Sequence, residues 1–342
     1  MPHFKAYAVN KGYWKDAYIQ YFSSTLKNQH GSNPSEHKPP EMSRGYFARV
    51  CAIRNLIDTF LDEYLNTATP SKCQIINLGA GYDTLYFNLL DKNRLPDKYV
   101  EIDFNQIVSS KIRIIKSKRA LSDKLNPPEN KSQTNQALAT GNELFLMPAL
   151  PPPLSQPSTS ASTLTSNTEI HTKVYHLISA DLRNLADLEN KLKECTLDFD
   201  FPTLIVTECV LVYMNSDHSN KLLDYFSKKF AQCVFINYEQ ANLEDRFGQI
   251  MLLNMQSRAC KLMGYEMCNS LDTQTKRFLN SGFTKSKAIT MTDYYLNKLD
   301  PNERKRIESL EFLDETELLI QLLDHYCICI ASNNESVDFM KF

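Results

Sequence analysis

The sequence predicts an α/β fold, built as a doubly wound, mostly parallel sheet with helices on both faces. Three observations carry that prediction. Short runs rich in Ile and Val alternate with helical patterns, a Gly-x-Gly turn follows the first of those runs, and acidic residues recur where the runs end. Strands joined through helices run parallel and are covered on both sides.

Taken in order, Met42–Leu65 reads as a long helix ahead of the first strand. The strand candidates are Gln74–Leu78, Tyr99–Asp103, Val174–Ser179, Thr203–Thr207 and Cys233–Tyr238, each bounded by Gly, Asp, Asn or Pro. Between them, Phe104, Ile107, Val108, Ile112 and Ile115 recur at the spacing of one helix face, and so do Leu185, Leu188 and Leu192. The tail reads as a long helix around Glu303–His325 and a last strand, Tyr326–Ala331. No internal repeat is present, which excludes a propeller or solenoid for this chain.

The 342 residues carry a formal net charge of −2, which argues against a protein that coats nucleic acid. The start, Met1 to Lys5, lacks an apolar signal core, and no apolar run approaches the roughly 20 residues needed to span a bilayer. We therefore expect a cytoplasmic monomer with no membrane or nucleic-acid partner. The nine cysteines are odd in number and contain no C-x-x-C pair, so they read as buried free thiols in a reducing compartment. Neither they nor the seven histidines show ligand-like spacing, and the expectation is no metal.

Composition changes sharply from Asn126 to Thr172. These residues hold seven of the 15 prolines and 13 Ser or Thr but only four charged side chains, so they cannot bury enough apolar surface to offset ordering entropy. The segment reads as a low-complexity, disordered insertion into one folded domain, with a helical part over residues 1–70 and helical additions over 240–325.

The first strand leads into Gly79-Ala80-Gly81, where the lack of a Cβ lets backbone approach a ligand. A third glycine of the dinucleotide fingerprint would fall at Thr84, so a nicotinamide or flavin site is disfavoured. Glu101 and Asp103 stand 20 and 22 residues after Gly81, the distance at which a carboxylate meets ribose hydroxyls. Both lie on one strand face, and spacing does not choose between them. Asp181 and Glu208 end two further strands, and in such sheets strand ends converge on one crevice. Asp181 is also placed to cap the following helix. A ligand with hydroxyls, an amine and a positive charge suits these acids, and S-adenosylmethionine has all three.

At these residues the sequence closely resembles the leucine carboxyl methyltransferases. The resemblance spans nearly the whole chain outside the insertion. It runs through Gly12-Tyr13-Trp14, Arg44 to Val50, Asn77 to Gly81, Ala180 to Arg183 and Glu208 to Met214, then Phe235 to Gln240, Asp245 to Met251 and Arg306 to Glu315. It implies a seven-stranded class I methyltransferase sheet, with extra helices forming a lid over the substrate. The implied cofactor is S-adenosyl-L-methionine. By motif, Lys5 and Arg49 would meet its carboxylate, Gly79 its backbone-facing side, Asp103 the ribose, Asp181 and Leu182 the adenine, and Glu208 the amine. Ala6 follows Lys5 where the family often has Arg.

The resemblance also implies the acceptor, the C-terminal leucine of the type-2A protein phosphatase catalytic subunit, whose tail and folded core are the expected partner. An α-carboxylate is ionised at neutral pH and needs no general base, so no catalytic side chain is assigned. Tyr213 and Tyr238 are the candidates lining the acceptor pocket, with helix packing as the equal alternative for each. Arg246 reads as pairing with Asp245 or Glu239. Two other readings stand beside this one: a non-catalytic phosphatase-binding scaffold, and a tRNA-modifying relative that carries an appended propeller. The second is disfavoured because only 104 residues, without repeats, follow the fifth strand.

Overall fold

Strands alternate their side chains between two faces, and the central strand here is buried on both. Gln74–Leu78 (β1) sends Ile75 into the core on one side and Ile76 and Leu78 into the core on the other. The computed structural model describes residues 2–23, 38–65, 71–125 and 168–337. Within them lie seven more strands: Lys98–Asp103 (β2), Ile170–His171 (β3), Tyr175–Ser179 (β4), Thr203–Glu208 (β5), Cys233–Gln240 (β6), Lys285–Thr290 (β7) and Tyr326–Ser332 (β8). They form one sheet in the order β3-β4-β2-β1-β5-β6-β8-β7.

The five strands from β4 to β6 are parallel, whereas β8 runs antiparallel to both β6 and β7. The expected seven strands are all present. An eighth, the two-residue β3, is added antiparallel at the edge of β4. One face is covered by the long helix Pro40–Leu65 (α2) and by helices Leu85–Asp91, Asn105–Ser117 and Thr316–Asp324. Helices Leu185–Glu194, Ser216–Lys229 and Leu271–Leu279 cover the other.

Four sequence expectations are corrected. The tail helix is two helices, Pro301–Glu308 and Thr316–Asp324. Ser309 closes the first by donating its backbone N–H to Arg306 and Lys305. Phe104 does not join the buried face of its helix; it is the N-cap residue, extended and 57% exposed. The insertion does not reach Thr172, because Ile170 is buried in β3 and the Thr172 hydroxyl closes the turn to Tyr175. Residues 126–167 lie outside the described residues. Arg246 makes neither expected pair: Asp245 caps its own helix through Gly248 N–H at 2.8 Å, and Glu239 pairs with Arg277.

Among the elements that no residue pattern marked individually are the first helix and the edge strand β7. Pro2–Asn10 (α1) lacks an apolar stripe, and β7 carries Lys285 and Lys287, the kind of charge that guards an edge strand. All nine cysteines are free thiols, seven of them buried. No described helix is long and apolar enough to cross a membrane.

Candidate functional site

The turn after β1 brings backbone to the carboxyl ends of the strands. Gly79 and Gly81 have φ of +64° and +54°, values at which a Cβ is strained. At Gly79 the space is closed as well, since an added Cβ would stand 2.5 Å from Cγ2 of Val210. Gly81 N–H donates to Oδ2 of Asp103 at 2.7 Å, and Phe104 N–H donates to Oδ1 at 2.7 Å. Burial raises the Asp103 pKa, with those two N–H groups opposing the rise. Each oxygen keeps a lone pair to accept a further hydroxyl.

Glu101 and Asp103 differ in burial and partners. Glu101 is fully buried and receives Lys111 Nζ at 2.6 Å and the Tyr175 hydroxyl at 2.7 Å. Lys111 also donates to the Asp83 carbonyl at 2.8 Å, which ties the glycine turn to helix Asn105–Ser117. Sequence reasoning passed over Lys111. Its signal was present: a lysine inside the stripe Val108, Lys111, Ile112, Ile115 needs a buried acid.

Asp103, Gly79, Asp181, Leu182 and Tyr213 line one cavity of about 310 Å³, with Phe104 at its edge. Ala180, Val210 and Met214 give it apolar walls. Asp181 does not cap the next helix; Asn184 does, accepting from Asp187 N–H at 3.3 Å. Asp181 instead takes a fork from Arg183 at 2.6–3.1 Å, and that hydrogen bonding lowers its pKa.

Glu208 closes β5 beside this cavity. Lys5 of α1 reaches its carboxylate at 2.9 Å, and Arg49 of α2 bonds the same oxygen through Nε. Burial pushes the Glu208 pKa up, but Arg49 and Lys5 outweigh it and hold the value down to about 2. Arg49 is itself buried, with its guanidinium 4.7 Å from the ring of Tyr238 and 5.9 Å from that of Tyr46. Tyr238 is buried and stacks on Tyr326, whereas Tyr213 is 38% exposed at the cavity mouth. The turn that presents Tyr213 is pinned from below. Glu239, fully buried, accepts Val212 N–H at 2.8 Å and Arg277 Nη1 at 3.0 Å.

The strand-end crevice thus holds two cations around one carboxylate next to an acid-rimmed, apolar-walled cavity. A family model described as leucine carboxyl methyltransferase matches residues 4–227, which include every one of these residues except Tyr238, Glu239, Arg277 and Tyr326. The chain belongs to the leucine carboxyl methyltransferase family. A rat protein named leucine carboxyl methyltransferase 1 is 41% identical over 96% of this chain and 86% of its own length. Its namesake from Caenorhabditis elegans is 38% identical over 96% and 87%. The rat tRNA wybutosine-synthesizing protein 4 is 31% identical over 87% of this chain but only 39% of its own length. The chain is therefore an S-adenosylmethionine-dependent methyltransferase.

The methyltransferase motifs that lie outside the crevice hold its walls together. Arg44 of α2 donates to the carbonyls of Glu308 and Glu311 at 3.1 and 2.8 Å. Arg306 donates to the carbonyls of Gly12 and Tyr13 at 2.8 and 2.6 Å. These bonds fasten α1 and α2 to the segment around residue 308, and so hold Lys5 and Arg49 over β5.

Proposed function

We propose that this methyltransferase esterifies the α-carboxylate of the C-terminal leucine of the type-2A protein phosphatase catalytic subunit. The observation that carries the reading is the triad of Lys5, Arg49 and Glu208 beside the Asp103 cavity, in a chain 41% identical to a leucine carboxyl methyltransferase over most of its length. The donor set fits S-adenosylmethionine. Arg49 and Lys5 would hold its carboxylate, Glu208 its ammonium, Asp103 its ribose hydroxyls, and Asp181 with Leu182 its adenine. Gly79 would let it lie against backbone. When bound it supplies a methyl group already activated by positive sulfur.

The chain's own residues then have little proton chemistry to perform. A peptide α-carboxylate has a pKa near about 3.5 and arrives ionised, so no base is needed. Tyr213, the polar group at the mouth, has its pKa raised by burial and remains a neutral hydroxyl at pH 7, a donor rather than a base. Positioning is the main contribution, and well-oriented reactants gain about 7–11 kcal/mol in the best cases. Beside the turn that presents Tyr213, Gly264 N–H bonds the Val212 carbonyl at 2.8 Å, and the neighbouring Met263 and Tyr265 are exposed. They suit a leucine side chain and the surface behind it.

The test is incubation with methyl-labelled S-adenosylmethionine and the phosphatase core. Base-labile label on the terminal carboxyl supports the reading. No label on a correctly folded phosphatase would leave a scaffold, and label on tRNA would move the protein to the longer relative's chemistry.

A further inference from the structure

Away from the crevice, the short hairpin of β3 and β4 sets His171 directly opposite His176. Directly opposed residues of an antiparallel pair share a face, and the two rings meet Nδ1 to Nδ1 at 3.1 Å. Cys195, at the C-terminus of helix Leu185–Glu194, completes the group. One ligand atom from each of the three lies within 4.8 Å of the others. Two nitrogens held by one tetrahedral zinc at about 2.0–2.1 Å stand about 3.3 Å apart, close to the spacing seen here.

The surroundings point the same way. His171 turns Nε2 toward Glu169 Oε2 at 3.4 Å, which leaves Nδ1 facing inward. A carboxylate behind a histidine is the usual support of a metal ligand. Glu169 is in turn fixed by Lys191 at 2.9 Å and by Ser179 N–H at 3.1 Å. His176 is 3% exposed, and its Nε2 is buried with no hydrogen-bond partner among the described residues. Among the described residues, the Cys195 thiol bonds only the Lys191 carbonyl, at 3.4 Å. A plain hydrogen bond between the two imidazoles would leave the buried thiol poorly served.

We propose that His171, His176 and Cys195 bind a zinc ion, with Glu194 as fourth ligand. The carboxylate of Glu194 lies in a second, overlapping group with His171 and Glu169. One sulfur, two imidazole nitrogens and a carboxylate oxygen form a borderline-soft set that suits zinc. On binding, a zinc–sulfur bond replaces the S–H bond, and the proton leaves to solvent. The Lys191 ammonium is already matched by Glu169 and Glu194. The role is structural: His176 is the second residue of β4, and the catalytic crevice opens beyond its last, Ser179. The ion staples the two-residue β3 to the sheet and to the helix behind it. Positions 171, 176 and 195 match no sequence spacing for a metal, because the hairpin and the helix end bring them together.

The test uses the full chain without a polyhistidine tag, titrated with zinc and, separately, with cobalt. We expect one equivalent of each, a near-ultraviolet thiolate-to-cobalt band, and a zinc-dependent rise in the unfolding midpoint. Cys195→Ser should lose the band and His171→Asn should weaken binding at least tenfold, with circular dichroism confirming the fold. If Cys195→Ser does not fold, His171→Asn, at a partly exposed position, decides. Absence of micromolar binding, cobalt without the thiolate band, or affinity unchanged by His171→Asn would overturn the site.

Discussion

Lys111 and Glu101 form an ion pair at 2.6 Å with both side chains wholly shut off from solvent. The lysine belongs to helix Asn105–Ser117 and the glutamate to β2, and the same ammonium holds the Asp83 carbonyl of the glycine turn. The pair therefore sets where the turn sits relative to Asp103, two residues along the strand.

Removing one partner leaves an uncompensated buried charge. Lys111→Met should cost about 3–5 kcal/mol of stability, read as a shift in the denaturation midpoint. Lys111→Met combined with Glu101→Leu should recover much of that loss. In both proteins the KM for the methyl donor should rise more than kcat falls, because the turn loses its tether. Equal stability of the single and double variants would refute the argument.

Gly79→Ala places a methyl group 2.5 Å from Val210 in backbone at φ +64°. Donor affinity should fall at least tenfold. Adding Val210→Ala should restore part of it, since that removes the clash but not the strained φ. Calorimetric titration with S-adenosylhomocysteine separates the two contributions.

Glu208 titrates near 2 instead of its ordinary 4.5 because Arg49 and Lys5 stabilise its charge. A depressed carboxylate pKa contributes stability above the unfolded value and loses it as pH falls through the folded one. That contribution, on the order of 3 kcal/mol, should be complete above about pH 4.5 and gone near pH 2. Glu208→Gln should lack this dependence. Parallel denaturation curves from pH 6 to 3 for the two proteins would check it, and identical slopes would refute it.

Tyr213→Phe should keep kcat within about tenfold, since loss of one neutral hydrogen bond contributes about 0.5–1.5 kcal/mol. A collapse of turnover with donor and phosphatase still bound would identify a proton-transfer role that an ionised acceptor does not require.

Legibility in the sequence followed the physics of each residue. The five parallel strands could be read because burial on both faces leaves short runs rich in Ile, Val and Leu, as in Gln74–Leu78. Edge strand β7 could not, because its lysines erase that pattern. Asp103 and Glu101 were indistinguishable by spacing, and only Lys111, ten residues past Glu101 on the next helix, separates them. The break at Ser309 within the tail helix leaves no proline or glycine to mark it. Glu208 was legible as a strand-end acid, while its pairing with Lys5, 203 positions away, rests on long-range packing.

The carboxylate of Glu208 is held by two cations, Lys5 and Arg49, within the protein itself. A zwitterionic amino-acid end would meet these groups with a carboxylate for the two cations and an ammonium for Glu208, and that end is the same in the methyl donor and in the spent thioether. Interactions made equally with reactant and product add affinity without favouring turnover. Recognition at this end would therefore leave the enzyme open to inhibition by its own product. Relief must come from the sulfur and acceptor side of the crevice, or from removal of the thioether by a separate hydrolytic reaction.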